Sequence, residues 1–131
     1  MNPYKLFLDD YRTPTDIFEE DDFVLVKSYN EFVEYITKNG LPVFISFDHD
    51  LADEHYQTSI DSYANGTYQG IDYDSFKEKT GMEAAKWLVD HCLDNNLKLP
   101  KFFVHSANPD GAKNIHSYLT NFVKFQTNGT N

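Results

Sequence analysis

Four aspartates sit where chemistry is possible: Asp9 and Asp10 close one short apolar run, and Asp48 and Asp50 close another. Carboxylates crowded together repel one another and raise their own pKa values unless a cation neutralises them. Oxygen donors of this kind suit a hard divalent ion, Mg2+ or Mn2+, which binds through a few carboxylates, waters and the phosphate oxygens of a substrate. His49 and His105 lie at the ends of the same kind of run, which keeps Mn2+ or Zn2+ open. The competing reading is that Asp9 and Asp10 cap a following helix while Asp48 and Asp50 shape a turn. Two such pairs, closing separate runs, favour the metal over the caps.

Other residues near these ends are suited to an anion. Arg12 follows Asp9-Asp10 and either neutralises the carboxylates or holds a phosphate with its planar fork of donors; a surface ion pair is the plain alternative. Ser106 and Asn108 lead into a helix start, where backbone N–H groups and the helix dipole favour negative charge. Asn108 is equally suited to capping that helix, and Gly111 in its first turn allows close approach. His55, His91 and His116 have no such placement and are read as surface or packing residues. Cys92 belongs to an apolar helix face and is read as core. The sequence has no glycine-lysine phosphate loop, no dinucleotide glycine fingerprint and no paired-cysteine zinc pattern. Asp48-His49-Asp50 resembles the aspartate pair of haloacid-dehalogenase-type phosphatases, but Leu51-Ala52 follows where that family needs a hydroxyl residue.

The elements that would position these residues are legible. Tyr4–Leu8, Phe23–Val26, Val43–Phe47 and Phe102–Val104 are short apolar runs of the kind that form buried parallel strands. Ser28 to Glu31 reads as a capping box before Phe32, Val33 and Ile36, with Gly40 as the stop. Thr80 to Glu83 reads as a second box, opening a helix with Met82, Ala85, Val89 and Cys92 as its apolar stripe. Asn108-Pro109 opens a third helix carrying Ala112, Ile115, Leu119 and Phe122 on one face. Residues 14–20 make at most a short helix, and Phe122–Gln126 is a candidate fifth, edge strand. The alternation predicts an α/β fold: a three-layer, doubly wound parallel sheet of four to five strands with a long insert after the third. In such sheets ligands bind beyond the carboxyl ends of the strands, where strand order reverses. All the candidate residues fall there.

Residues 1–131 read as a single domain, with 51–80 as the insert and 127–131 as a polar tail. The insert carries Tyr56, Tyr63, Tyr68 and Tyr73 and is read either as a lid beside the third strand's end or as a decorated surface loop. A net charge of −10 makes non-specific binding to duplex nucleic acid a poor expectation. No apolar run is long enough to span a membrane, and Met1 to Asp10 is no signal peptide. One cysteine excludes a disulfide framework and favours a reducing, cytoplasmic setting. Oligomeric state is not legible.

An acidic pair after the first strand, an aspartate after the third and a serine after the fourth resemble the receiver domain of two-component signalling. The lysine that receivers carry after a fifth strand has no counterpart here, and the insert is foreign to them. The segments Leu6–Pro14, Ile45–Leu51 and Val104–Pro109 are more similar to three signatures of the cyclic-phosphate-processing receiver-like family. That resemblance implies a receiver-like fold and a metal-dependent phosphoesterase acting on cyclic phosphates, at RNA ends or in cyclic nucleotides. In this reading Asp9, Asp10 and Asp48, with Asp50, hold the metal. Arg12, Ser106 and Asn108 hold the phosphate, Asp48 takes part in catalysis, and His49 or His105 protonates the leaving alkoxide. Two alternatives stay open: a signalling receiver phosphorylated on Asp48, and a non-catalytic module that binds a nucleotide or a protein.

Overall fold

The computed structural model describes residues 3–18, 22–51 and 79–128. Four strands, β1 (Lys5–Leu8), β2 (Val24–Val26), β3 (Phe44–Phe47) and β4 (Lys101–Val104), pair in parallel in the order β2-β1-β3-β4. The described helices are α1 (Pro14–Ile17), α2 (Tyr29–Asn39), α3 (Gly81–Asn95) and α4 (Pro109–Asn128). From β1 the chain steps one way to β2, then crosses back over β1 to reach β3. Strand order therefore reverses between β1 and β3. Right-handed crossovers running in opposite directions place their connections on opposite faces of a sheet.

Register and pleat decide which side chains face which layer. Leu6 pairs with Val24 and Ile45, and Ile45 with Phe102; Leu8 pairs with Val26 and Phe47, and Phe47 with Val104. These two rows meet Phe32 and Ile36 of α2, Ala85, Leu88 and Cys92 of α3, and Ile115, Leu119 and Phe122 of α4 in one apolar core. The row between them, Leu25, Phe7, Ser46 and Phe103, points the other way. Over that second face Phe18, just past α1, packs on the rings of Phe23, Phe44 and Phe103. Three long helices thus share one face, and α1 with Phe18 lies on the other.

The helix ends follow their cap residues. Ser28 Oγ accepts from the Glu31 N–H at 3.1 Å, and Gly40 ends α2 with a φ of 86° that favours glycine. Asn108 Oδ1 accepts from the Gly111 N–H at 3.0 Å and so caps α4. Two expectations are corrected. Thr80 stands at the N-cap of α3, but its side chain makes no capping hydrogen bond; the helix start is held instead by the Gly81 N–H, which donates to His49 O at 2.8 Å. Phe122–Gln126 is not a strand but the continuation of α4. Phe122 keeps the helical spacing of Ile115 and Leu119, and Gln126 ties this turn to the loop after α3 by accepting from the Leu99 N–H and donating to Leu97 O.

Most of the predicted insert, including its four tyrosines, lies outside the described residues, as does His55. Both ends of this connection, Leu51 and Thr80–Gly81, are buried. Among the described residues no helix is long and apolar enough to cross a membrane. Cys92 is buried in the core, and burial pushes its thiol up to about 11, which suits a packing role.

Gly81 is where α3 touches the β3 end most closely. A Cβ there would stand 1.7 Å from the backbone oxygen of Asp48, an atom that cannot move aside without shifting the whole turn. Gly81→Ala should therefore cost at least about 3 kcal/mol in urea unfolding, against the small gain that Gly-to-Ala usually brings in a helix. A change within about 0.5 kcal/mol of zero, the range of ordinary surface substitutions, would refute this contact.

Candidate functional site

The site is the next row of the sheet. Asp9 N–H donates to Val26 O, Asp48 N–H to Leu8 O, and His105 N–H to Phe47 O, so the ladder runs one residue beyond each strand. Because Leu8, Phe47 and Val104 are in register, Asp9, Asp48 and His105 are neighbours on adjacent chains. Pleat alternation turns all three to the face of Phe7 and Ser46. The His105 ring accordingly stacks on Phe7, with centroids 4.4 Å apart and planes within 8°. One ligand atom from each of Asp9, Asp48 and His105 lies within 4.8 Å of the others, and all three residues are buried.

Asp9 is the most heavily bonded carboxylate. Its Oδ1 accepts from the backbone N–H groups of Tyr11 at 2.8 Å and Arg12 at 2.9 Å. Its Oδ2 accepts from Arg12 Nε and from His105 Nε2, each at 3.0 Å. Burial alone would raise its pKa, but the bonds from His105, Tyr11 and Arg12 and the Arg12 charge outweigh it and hold Asp9 below the ordinary aspartate value. The Arg12 guanidinium also reaches Asp48, with Nη2 3.3 Å from Oδ1, an oxygen that accepts from the His49 N–H as well. Arg12 thereby spans the two buried carboxylates while its own side chain stays a quarter exposed.

The same contacts fix His105. An ionised Asp9 only accepts, so Nε2 carries the proton, and Nδ1, 2.6 Å from Ser46 Oγ, accepts from that hydroxyl. Burial pushes the His105 pKa below the ordinary 6.5 and its contact with Asp9 offsets this only in part, so the ring is neutral at pH 7.

The other predicted residues are placed elsewhere. Asp10, half-buried, follows Asp9 on the chain and is outside the group of three, as alternation requires. Asp50 is buried and turned to His49, whose Nδ1 lies 2.8 Å from Asp50 Oδ1. Asn108 Nδ2 is 3.4 Å from both Asp50 oxygens. Ser106 Oγ accepts from the Asn108 N–H at 3.1 Å, and its hydroxyl proton is the donor it has to offer. His91 stacks on Trp87, and His116 meets the edge of Phe102. Ser46 is the residue that sequence reasoning missed; a polar residue inside the apolar run Phe44–Phe47 was the available signal.

The cluster of Asp9, Asp48 and His105 could hold a metal ion: it offers two carboxylate oxygens and an imidazole nitrogen at mutually close positions. For Nε2 to become a ligand its proton must pass to Nδ1, and the Ser46 hydroxyl, which can accept as well as donate, permits that exchange. A cation here would share Asp9 and Asp48 with Arg12.

Two outcomes follow from these charges. Arg12→Gln should lose roughly 1–3 kcal/mol of unfolding free energy in chelator, because two buried carboxylates lose their counter-charge, and Mn2+ should restore more of it than it adds to the wild type. Equal Mn2+ effects on the two proteins would show that arginine and cation do not compete. His105 has a folded pKa below its unfolded one, so between the two the unfolded chain binds more protons. Its contribution to stability is therefore complete above about pH 6.5 and falls on acidification through that window. Urea unfolding in chelator from pH 7.5 to 5.5 should show this loss, and His105→Gln should flatten it; an unchanged slope would contradict the neutral, buried ring.

Comparison with known proteins adds one result. No curated protein and no solved structure matches the chain. Residues 4–121 match the family described as the cyclic-phosphate processing receiver domain, a span that takes in all four strands and the row of Asp9, Asp48 and His105. The parallel α/β sheet, its strand order and this match agree: the chain belongs to the cyclic-phosphate processing receiver domain family.

Proposed function

We propose that this protein is a phosphoesterase that opens a cyclic phosphate, on a small nucleotide or an RNA end, with a divalent ion held by Asp9, Asp48 and His105. The observation that supports it most is the Arg12 bridge: two buried carboxylates and an anion-binding guanidinium meet at the switch point of a sheet in a cyclic-phosphate processing family. When bound, the ion supplies charge neutralisation and a more acidic water. Arg12, a quarter exposed, is the side chain best suited to meet the phosphate, and the Ser106 hydroxyl in the β4–α4 loop is a second donor. In the reaction the water's oxygen bonds to phosphorus as the water gives up a proton, one ring P–O bond breaks, and that proton ends on the leaving alkoxide. We assign the transfer to His49, which would take the proton from the water and return it to the alkoxide, because His105 is used to hold the ion. The acidic balance of the chain favours a small or single-ended phosphate over duplex nucleic acid.

A panel of 2′,3′-cyclic and 3′,5′-cyclic nucleotides, each with Mg2+, Mn2+ or Zn2+, tests this. Turnover should depend on the metal, fall by at least roughly 100-fold in Asp48→Asn and fall by about 100-fold in His49→Gln. Undiminished turnover in Asp48→Asn would overturn the assignment. Asp48 also ends the strand between β1 and β4, a place from which a receiver aspartate accepts a phosphoryl group, and that favours a second reading. A mass increase of one phosphoryl group after incubation with acetyl phosphate, lost in Asp48→Asn, would select it.

A further inference from the structure

A second carboxylate–imidazole pair, Asp50 and His49, follows Asp48 on the chain. His49, Asp50 and Asn108 are all buried, and they form a chain of hydrogen bonds that starts at a helix end. The Gly111 N–H in the first turn of α4 donates to Asn108 Oδ1 at 3.0 Å. That bond settles which way the Asn108 amide points, because its oxygen is taken by the cap. Its Nδ2 therefore faces Asp50 and donates toward both carboxylate oxygens at 3.4 Å. An ionised carboxylate only accepts, so the contact of 2.8 Å between Asp50 Oδ1 and His49 Nδ1 carries its proton on the ring nitrogen. In the neutral imidazole, Nε2 is then the nitrogen with the lone pair.

We infer that Asp50 and Asn108 are positioning residues that fix the tautomer and ring plane of His49, rather than ligands of the metal or the phosphate. The inference rests on the phosphoesterase reading only for the use made of His49; the arrangement itself is independent of any substrate. It follows the logic by which a buried aspartate orients a catalytic histidine through Nδ1. The helix supplies a second constraint. A Cβ on Gly111 would stand 2.4 Å from His49 Cγ and 2.8 Å from Nδ1, so the ring lies directly under the first turn of α4. Gly111 thus gives the imidazole its place. His49 is braced on two sides, by Asp50 at its Nδ1 edge and by the α4 backbone on its face. The His49 carbonyl is held as well, by the Gly81 N–H.

The test uses full-length protein in chelator at pH 8, with long-range proton–nitrogen correlation on the histidine rings. Wild type should show His49 Nδ1 protonated. Asp50→Asn should shift the ring toward the Nε2-protonated form with the fold retained, since an asparagine amide can itself donate to Nδ1. Asn108→Ser, which keeps a cap oxygen but removes the amide donor, should loosen the ring in the same direction. Gly111→Ala improves intrinsic helix propensity and still should displace the ring. With 2′,3′-cyclic AMP and Mn2+ as probe, Asp50→Asn should lower kcat by at least roughly 10-fold and leave KM within about 2-fold, the pattern of a group that acts through another. An unprotonated Nδ1 in wild type, or a ring unaffected by both Asp50→Asn and Gly111→Ala, would overturn the inference whatever the activity. Absence of turnover in the wild type, with the nitrogen pattern as expected, would instead defeat the phosphoesterase reading and leave the positioning intact.

Discussion

Two buried carboxylates held side by side are the constraint on which the rest of this structure depends. At the 4.8 Å limit that bounds Asp9 and Asp48, two like charges repel by roughly 3 kcal/mol at an effective dielectric of about 20. Each contact of Arg12, at 3.0 and 3.3 Å, attracts by roughly 5 kcal/mol on the same scale, so the guanidinium wins. Backbone N–H groups of Tyr11, Arg12 and His49 and the His105 ring complete the solvation that burial removes. The arrangement is stable because it is crowded with donors. In the proposed function an incoming cation would have to share these carboxylates with Arg12, and a phosphate would have to share Arg12 with them, so that Arg12 would act as an exchangeable counter-charge.

Sheet register explains why these residues meet. Three adjacent parallel strands end in the same row, and the residue after each continues the ladder. Asp9, Asp48 and His105 therefore arrive on one face without any special loop geometry. The residue after Asp9 must face the other way, which separates Asp10 from the group. Asp50, two residues past Asp48, leaves the row because the chain turns toward α4, where the Asn108 cap receives it.

Much of the fold was legible because its signals are local. Short apolar runs marked all four strands, and Ser28, Gly40 and Asn108 marked helix ends that the structure places within a residue or two. Phe122–Gln126 misled because five residues rich in aromatics suit a strand as well as a helix; only continuation of the Ile115–Leu119 spacing separates the two. In the candidate site, residue types pointed to the edge of the sheet where Asp9, Asp48 and His105 meet, but not to their partners. Four aspartates looked equivalent in sequence, and pleat alternation distinguishes Asp9 from Asp10. Ser46 was hidden as one polar residue in an apolar strand, and the bond to His105 spans 59 residues. The packing of His49 beneath Gly111 and of Asp48 against Gly81 is likewise set by tertiary contact alone.

The central claim is that Asp9, Asp48 and His105 form the cation site. Titrating substoichiometric Mn2+ into isotopically labelled protein and following paramagnetic broadening tests it most directly. The account predicts that amide and ring signals of Asp9, Asp48 and His105 vanish first. Broadening that begins at the exposed acidic residues of the helices, Asp90, Asp94 or Asp110, while His105 stays sharp, would contradict it.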